Sequence, residues 1–239
     1  MNHKGDVMAL ILVVDDDEDI VEVVQRLLRQ HAHTVIPAHT GRQAISRLQE
    51  KRPDLVILDI VLPDVNGIEI CKFMRTHPQL SSVPIIFLTY KEAIEDKIAG
   101  FEAGGDDYLT KPFHLNELEM RVRALLRHSG SSPTVGMVAI PPVRIDPLDG
   151  SAFVYDKPVD LTPIEFRLLH YLVAHAGQVI STERLLQDVW DYPPGSGNLS
   201  LVRMHVLNLR RKIERDARHP RLIRTVPRHG YSFPLDPDS

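Results

Sequence analysis

The 239-residue chain has a single cysteine, Cys71. No internal disulfide can form, so the fold must close on packing alone, and such sparing use of thiols suits a reducing compartment, the cytoplasm. Zinc sites built on paired cysteines are excluded for the same reason, and His31, His33 and His39 lack a convincing ligand spacing. No apolar run approaches the roughly 18 residues that a membrane span needs. The longest early one, Ala9–Val14, stops at three aspartates with no small-residue cleavage site behind it, which argues against a signal peptide. A membrane partner is therefore not expected. The absence of internal repeats argues against solenoid architectures.

What the chain does contain is unevenly spread. The formal charge is −4, from 28 Lys+Arg against 32 Asp+Glu. Residues 1–127 carry 15 basic and 20 acidic side chains, and residues 128–239 carry 13 and 12. Within Leu199–Gly230, nine basic residues face two acidic ones. A basic stripe behind an acidic front half is how a nucleic-acid footprint looks in sequence, although a solvated helix face produces the same count.

In the first half, short apolar runs at Leu10–Val14, Leu55–Leu58 and Pro84–Leu88, with weaker ones at Thr34–Pro37 and Asp107–Thr110, alternate with amphipathic stretches. One such stretch is Ile20, Val23, Val24, Leu27, Leu28. Five strands alternating with five helices predict an α/β domain over residues 1–127, a doubly wound five-stranded parallel sheet covered on both faces. Residues 128–142 read as a linker. Residues 143–239 read as a smaller α+β domain. There Thr162-Pro163-Ile164-Glu165 forms a capping box, with Phe166, Leu169 and Val173 as the buried face of its helix. Ser181 caps a second helix, and a third runs from about Leu199 to Glu214. Two short strands, Leu222–Val226 and Tyr231–Phe233, close the domain around a turn at Pro227–Gly230.

The chemistry lies at the strand ends. Strand one ends at Asp15, Asp16 and Asp17, strand three at Asp59, strand four at Thr89 and strand five at Lys111. In a doubly wound sheet these ends share one edge, where ligands bind. Each residue alone is ordinary, since aspartates favour a helix N-terminus and Lys111-Pro112 makes a turn. Together they are hard to explain as scaffolding. Three crowded carboxylates repel one another and require a divalent cation and an ammonium to remain ionised. Mg²⁺, which takes a few oxygen ligands and keeps waters, suits the set. It would also neutralise a phosphoryl group arriving at Asp59 in covalent carboxylate catalysis. Lys111 offers a second positive charge and Thr89 a hydrogen bond.

The motifs Ile11-Leu-Val-Val-Asp-Asp-Asp, Leu55-Val-Ile-Leu-Asp59-Ile-Val-Leu-Pro63-Asp-Val-Asn-Gly67, Phe87-Leu-Thr89 and Gly104-Gly-Asp-Asp-Tyr-Leu-Thr-Lys111-Pro-Phe resemble those of a two-component receiver domain. That resemblance implies that Asp59 is the phosphoacceptor for a sensor histidine kinase. It implies Mg²⁺ ligation by Asp16, Asp59 and the Val61 backbone carbonyl, with Asp15 acting through water. Lys111 and Thr89 would bind the phosphoryl group, and Tyr108 would switch position with Thr89. Two departures stand out. Tyr90 occupies a place usually held by a small residue and would fill the space into which Tyr108 swings. Gly105 replaces the usual alanine, which would loosen a loop.

The last helix and strand of this domain are similar to those of the OmpR/PhoB response regulators. The similarity places Lys97, Glu102, Asp106, Asp107, Glu117, Arg121 and Arg123 on charged faces that pair across a symmetric homodimer formed on phosphorylation. The second domain, over residues 143–234, resembles the winged helix of the same family. On its third helix Val202, Val206, Leu209 and Ile213 form a core stripe. The opposite face presents Ser200, Met204, Leu207, Asn208 and Arg211, flanked by Arg203 and Arg210. Asn208 has the amide that could read adenine, and His205 is read either as a helix-flank side chain or as a phosphate contact. Arg228 at the hairpin tip is read either as entering the minor groove or as a solvated arginine that touches phosphate or nothing. It stands where the family usually has glycine, which argues for a turn without positive φ. Implied partners are double-stranded DNA with tandem half-sites and RNA polymerase through the 191–198 loop.

Two other readings fit parts of the pattern. A regulator of the same build could work without phosphorylation if Tyr90 uncouples the switch. An aspartyl-phosphate phosphatase of the haloacid-dehalogenase type needs a second aspartate two residues after the nucleophile, where this chain has Val61. Cys71 is read as a small apolar residue of the third helix.

Overall fold

Strand β1 (Leu10–Val14) is buried on both of its faces, as the central strand of a sheet covered on two sides must be. The computed structural model describes residues 8–90, 100, 102–127, 137–148 and 150–236. The chain divides into two compact units, residues 1–130 and residues 131–239.

In the first unit β1 leads to α1 (Glu18–Gln30), β2 (Thr34–Ala38), α2 (Gly41–Glu50), β3 (Leu55–Asp59), α3 (Gly67–Thr76), β4 (Ile85–Tyr90), β5 (Asp107–Lys111) and α4 (Leu115–Arg127). All strand pairs are parallel, in the order β2-β1-β3-β4-β5. This is the doubly wound sheet expected from the alternating pattern. Successive residues of a strand point to opposite faces. Ile11 and Val13 join Ile57, Val21, Val24, Leu118 and Val122 in one core layer. Leu12, Val14, Val56 and Leu58 face the other way and are equally buried.

Helix starts are fixed partly by neighbouring residues and partly from a distance. Asp17 caps α1, accepting hydrogen bonds from the N–H groups of Asp19 and Ile20. Asp64 reaches across to the start of α2 and accepts from the Gly41 N–H at 2.7 Å and the Arg42 N–H at 3.0 Å. Those backbone donors hold its carboxyl below the usual range. At the start of α3, Gly67 lies so close to β3 that a Cβ there would sit 2.1 Å from the Asp59 carbonyl oxygen. Only glycine permits that approach, which folds the 60–66 loop over the strand end.

The second unit opens with an antiparallel sheet in the order β6-β7-β8-β9: β6 (Val138–Ile140), β7 (Val143–Asp146), β8 (Ser151–Val154) and β9 (Lys157–Pro158). Strand β6 lies inside the stretch read as linker. Three helices follow, α5 (Pro163–Ala174), α6 (Thr182–Trp190) and α7 (Leu199–Ile213). The Thr162–Glu165 capping box is present, and Ser181 caps α6. Phe166 is only half-buried and stacks on His170, while Ile164, Leu168 and Leu172 join Leu169 and Val173 in the core. A three-stranded sheet, β10-β12-β11, contains β10 (Val179–Ile180) and the terminal hairpin of β11 (Arg224–Val226) and β12 (Gly230–Ser232).

Candidate functional site

Strand register assembles the acidic site. Val14 pairs with Leu58, Asp59 with Leu88, and Thr89 with Thr110. Asp15, Asp59, Thr89 and Lys111 therefore share one edge of four adjacent strands, and all four are buried. Lys111 Nζ lies 2.6 Å from Asp15 Oδ2 and also donates to Asp59 Oδ2. The Val61 N–H donates to Asp59 Oδ1 at 3.0 Å, and the Asp17 N–H to Asp15 Oδ1 at 3.1 Å.

Burial pushes the Asp15 carboxyl up to about 6, helped by the Asp59 charge and opposed by the Lys111 ammonium. For Lys111, burial works against its charge, but hydrogen bonds to Asp15 and Asp59 prevail and hold it above the usual lysine range. Oxygens of Asp15, Asp16 and Asp59 all lie within 4.8 Å of one another, with Asp16 exposed. This all-oxygen donor set fits a hard divalent cation.

Tyr108 packs inward, its ring 5.1 Å from that of Phe87. Tyr90 is 55% exposed and stands with its ring centroid 5.3 Å from Lys111 Nζ. Its place beside the lysine was not legible in the sequence, because it follows from the Tyr90–Lys111 register of β4 and β5. Gly105 does more than loosen a loop. A Cβ there would stand 2.6 Å from two Phe87 ring carbons, so the missing side chain makes room for that ring.

The charged faces need correction. Asp106 has no exposed surface and pairs with Arg75 at 2.8 Å, while also accepting from the Ile85 N–H at 2.9 Å. It is an interior anchor and is not available to another chain. Arg75, whose guanidinium also donates to the Gly104, Ser81 and Val83 carbonyls, was missed for want of any local signal. Asp107 and Arg121 are buried and paired at 2.6 Å within the chain, and Arg121 also holds Glu117 at 2.5 Å. Arg123 pairs with Glu119. Glu102 is exposed, and Lys97 lies outside the described residues.

On α7 the core stripe of Val202, Val206, Leu209 and Ile213 is buried as expected. Two proposed contact residues are buried with it. Asn208 is 7% exposed, which removes it as an adenine reader. His205 is 1% exposed, its ring 5.3 Å from Trp190, so it is a core residue rather than a helix flank. Arg210 is half-buried and turned onto the hairpin, donating to the Ile223 carbonyl at 3.0 and 2.6 Å and to Thr225 Oγ1 at 2.8 Å. It braces the hairpin rather than facing outward. Ser200, Arg203, Leu207 and Arg211 are exposed, and Met204 is partly so. At the hairpin tip Arg228 is exposed with φ +66°, so the turn keeps the left-handed conformation without glycine, contrary to expectation.

A parallel sheet with an acidic, lysine-clamped edge, followed by a three-helix unit with a basic hairpin, is the arrangement of a signalling receiver domain joined to a winged-helix one. Residues 11–123 match the response regulator receiver domain, and residues 156–233 match the C-terminal domain of transcriptional regulatory proteins. The chain is 39% identical over 232 residues to the alkaline phosphatase synthesis transcriptional regulatory protein PhoP of Bacillus subtilis, spanning 93% of this chain and 95% of that one. It is 40% identical over 221 residues to the DNA-binding response regulator MtrA of Mycolicibacterium paratuberculosis, spanning 92% and 96%. The solved structure of DrrB, an OmpR/PhoB homologue of Thermotoga maritima, matches with TM-score 0.50 at 34% identity, covering 95% of this chain and all of that one. The chain belongs to the OmpR/PhoB family of two-component response regulators.

Proposed function

We propose that Asp59 takes a phosphoryl group from the phosphohistidine of a sensor histidine kinase and that this modification controls DNA binding. The observation that carries the reading is the Lys111 ammonium held between Asp15 and Asp59. In the transfer, an Asp59 carboxylate oxygen attacks phosphorus, the P–N bond to the kinase imidazole breaks, and the departing nitrogen keeps the bond pair and takes up a proton. Lys111 moves with the new negative charge onto the phosphoryl oxygens, and the Thr89 hydroxyl donates to one of them. Asp16, Asp59 and the Val61 carbonyl would hold Mg²⁺. Asp15 Oδ1 already accepts from the Asp17 N–H and Oδ2 is ion-paired with Lys111, which favours contact through water. The cation supplies charge neutralisation at the phosphoryl oxygens.

Phosphorylation is proposed to shift Tyr108 and Thr89 and to favour a homodimer. Glu102 and Arg123 are exposed and Glu117 is half-exposed, so their side chains reach the surface where that contact would form, with Glu117 and Arg123 exchanging their present partners Arg121 and Glu119. Two winged helices would then occupy tandem half-sites on DNA, which raises their effective concentration. Contact of the 191–198 loop with RNA polymerase and a cytoplasmic location belong to the same reading. Among the described residues no helix is long and apolar enough to cross a membrane.

The test is intact-mass spectrometry of the full chain incubated with phosphoramidate. One phosphoryl group is expected with Mg²⁺ and none with a chelator. Undiminished labelling of Asp59→Asn would reject the assignment.

A further inference from the structure

The outward face of α7 is basic at its flanks and apolar at its centre. Ser200, Arg203, Leu207 and Arg211 recur at i, i+3, i+7 and i+11 and are all exposed. Leu207, with 37% of its surface accessible, lies in the middle of that row. Met204, partly buried, lies one turn before it on the same side. An exposed leucine by itself means little. This one sits where a DNA-recognition helix must meet base edges, inside a stretch of nine basic and two acidic residues. The amide that would have read adenine from this helix, that of Asn208, is turned into the core.

An apolar side chain has one good partner in the major groove, the C5-methyl of thymine. Every other distinguishing feature there is a hydrogen-bond donor or acceptor. We infer that Leu207, with Met204 beside it, selects thymine by packing on its 5-methyl group, while Arg203 and Arg211 hold the helix on the phosphates to either side. The inference rests on the family's DNA-binding role and adds the base that this helix reads. It also accounts for an apolar residue at the centre of a charged face, since an arginine there would select guanine O6 and N7 instead.

Replacing thymine by uracil removes that methyl group and leaves every hydrogen-bonding edge intact. The probe is a duplex selected from a random pool by the phosphorylated full-length chain, made with thymine or with single uracil replacements. Wild type is expected to lose about fourfold in affinity for each contacted methyl removed, the equivalent of one buried methyl-sized group. Leu207→Ala should bind thymine duplex about fourfold or more weakly and lose the thymine–uracil difference at that position. Leu207→Met should keep the difference, and Leu207→Arg should reselect guanine there. Equal binding of thymine and uracil duplexes by wild type would overturn the inference while leaving DNA binding intact. An undiminished thymine preference in Leu207→Ala would also overturn it, because another residue would then be the reader. Failure to recover any duplex from the pool would overturn the DNA-binding reading and this inference together.

Discussion

The Tyr108 hydroxyl occupies the space that a side chain at Gly100 would fill. A Cβ at Gly100 would stand 1.9 Å from that oxygen and 2.9 Å from Tyr108 Cζ. The buried position of the ring thus depends on a glycine eight positions earlier in the chain.

Gly100→Ala should therefore expel the Tyr108 ring from its place beside Phe87. With fluorotyrosine incorporated, the Tyr108 fluorine resonance should move to a solvent-exposed shift in the unphosphorylated protein. An unchanged resonance would show that helix movement at position 100, rather than the ring, absorbs the methyl group.

Lys111 compensates two buried carboxylates, so its removal should be most costly when no other cation is present. Lys111→Ala should destabilise the metal-free protein by about 3–5 kcal/mol, the usual cost of leaving a buried charge unpaired. Added Mg²⁺ should restore part of that loss, because it neutralises the same oxygens. Urea titrations of wild type and variant with and without Mg²⁺ measure the difference. A loss of equal size under both conditions would mean that the lysine acts through its packing.

Cys71 has no exposed surface, and its thiol donates to the Ala103 carbonyl at 3.3 Å. Burial pushes the thiol up to about 12, with the Asp106 charge helping and Arg75 opposing. A folded-state value above the ordinary 9 means that the neutral thiol supports the fold fully below pH 9 and progressively less up to about 12, since only the unfolded chain ionises early. Wild type should therefore lose stability across that window relative to Cys71→Ala. Iodoacetamide should label the native protein at pH 8 only as fast as it opens. Rapid native labelling would place the thiol at the surface instead.

Arg228 has φ +66°, a conformation that costs a side-chain-bearing residue about 1–2 kcal/mol. Part of that gain is offset by the greater freedom of glycine in the unfolded chain. Arg228→Gly should accordingly raise stability by up to about 1 kcal/mol. It should also weaken DNA binding by roughly 1–3 kcal/mol, most strongly on sites flanked by A·T pairs if the guanidinium enters the minor groove. Thermal unfolding and titrations on A·T- and G·C-flanked duplexes separate the two effects. Equal affinity on all sites would remove Arg228 from the interface.

The features legible in advance were those set by neighbours in the chain. The doubly apolar runs of β1 and β3 announced a parallel sheet. Once the sheet was parallel, Asp15, Asp59, Thr89 and Lys111 had to meet at one edge, because each stands at the C-terminal end of a strand pattern. The Thr162–Glu165 box spans three residues and is satisfied by those residues alone. Features that depend on distant partners could not be read this way. Asp106 looks like any acidic loop residue until Arg75, 31 positions away, is seen to hold it inside. Asn208 and His205 fall just outside the apolar stripe of α7, and Trp190 on another helix lies against His205 in the core. The hairpin is decided by pairing rather than composition. Val226 opposite Gly230 leaves three residues to turn the chain, and Arg228 takes the left-handed conformation that closes it. Local sequence therefore determined the elements and the acidic edge, whereas burial against distant segments decided which polar side chains remain free to act.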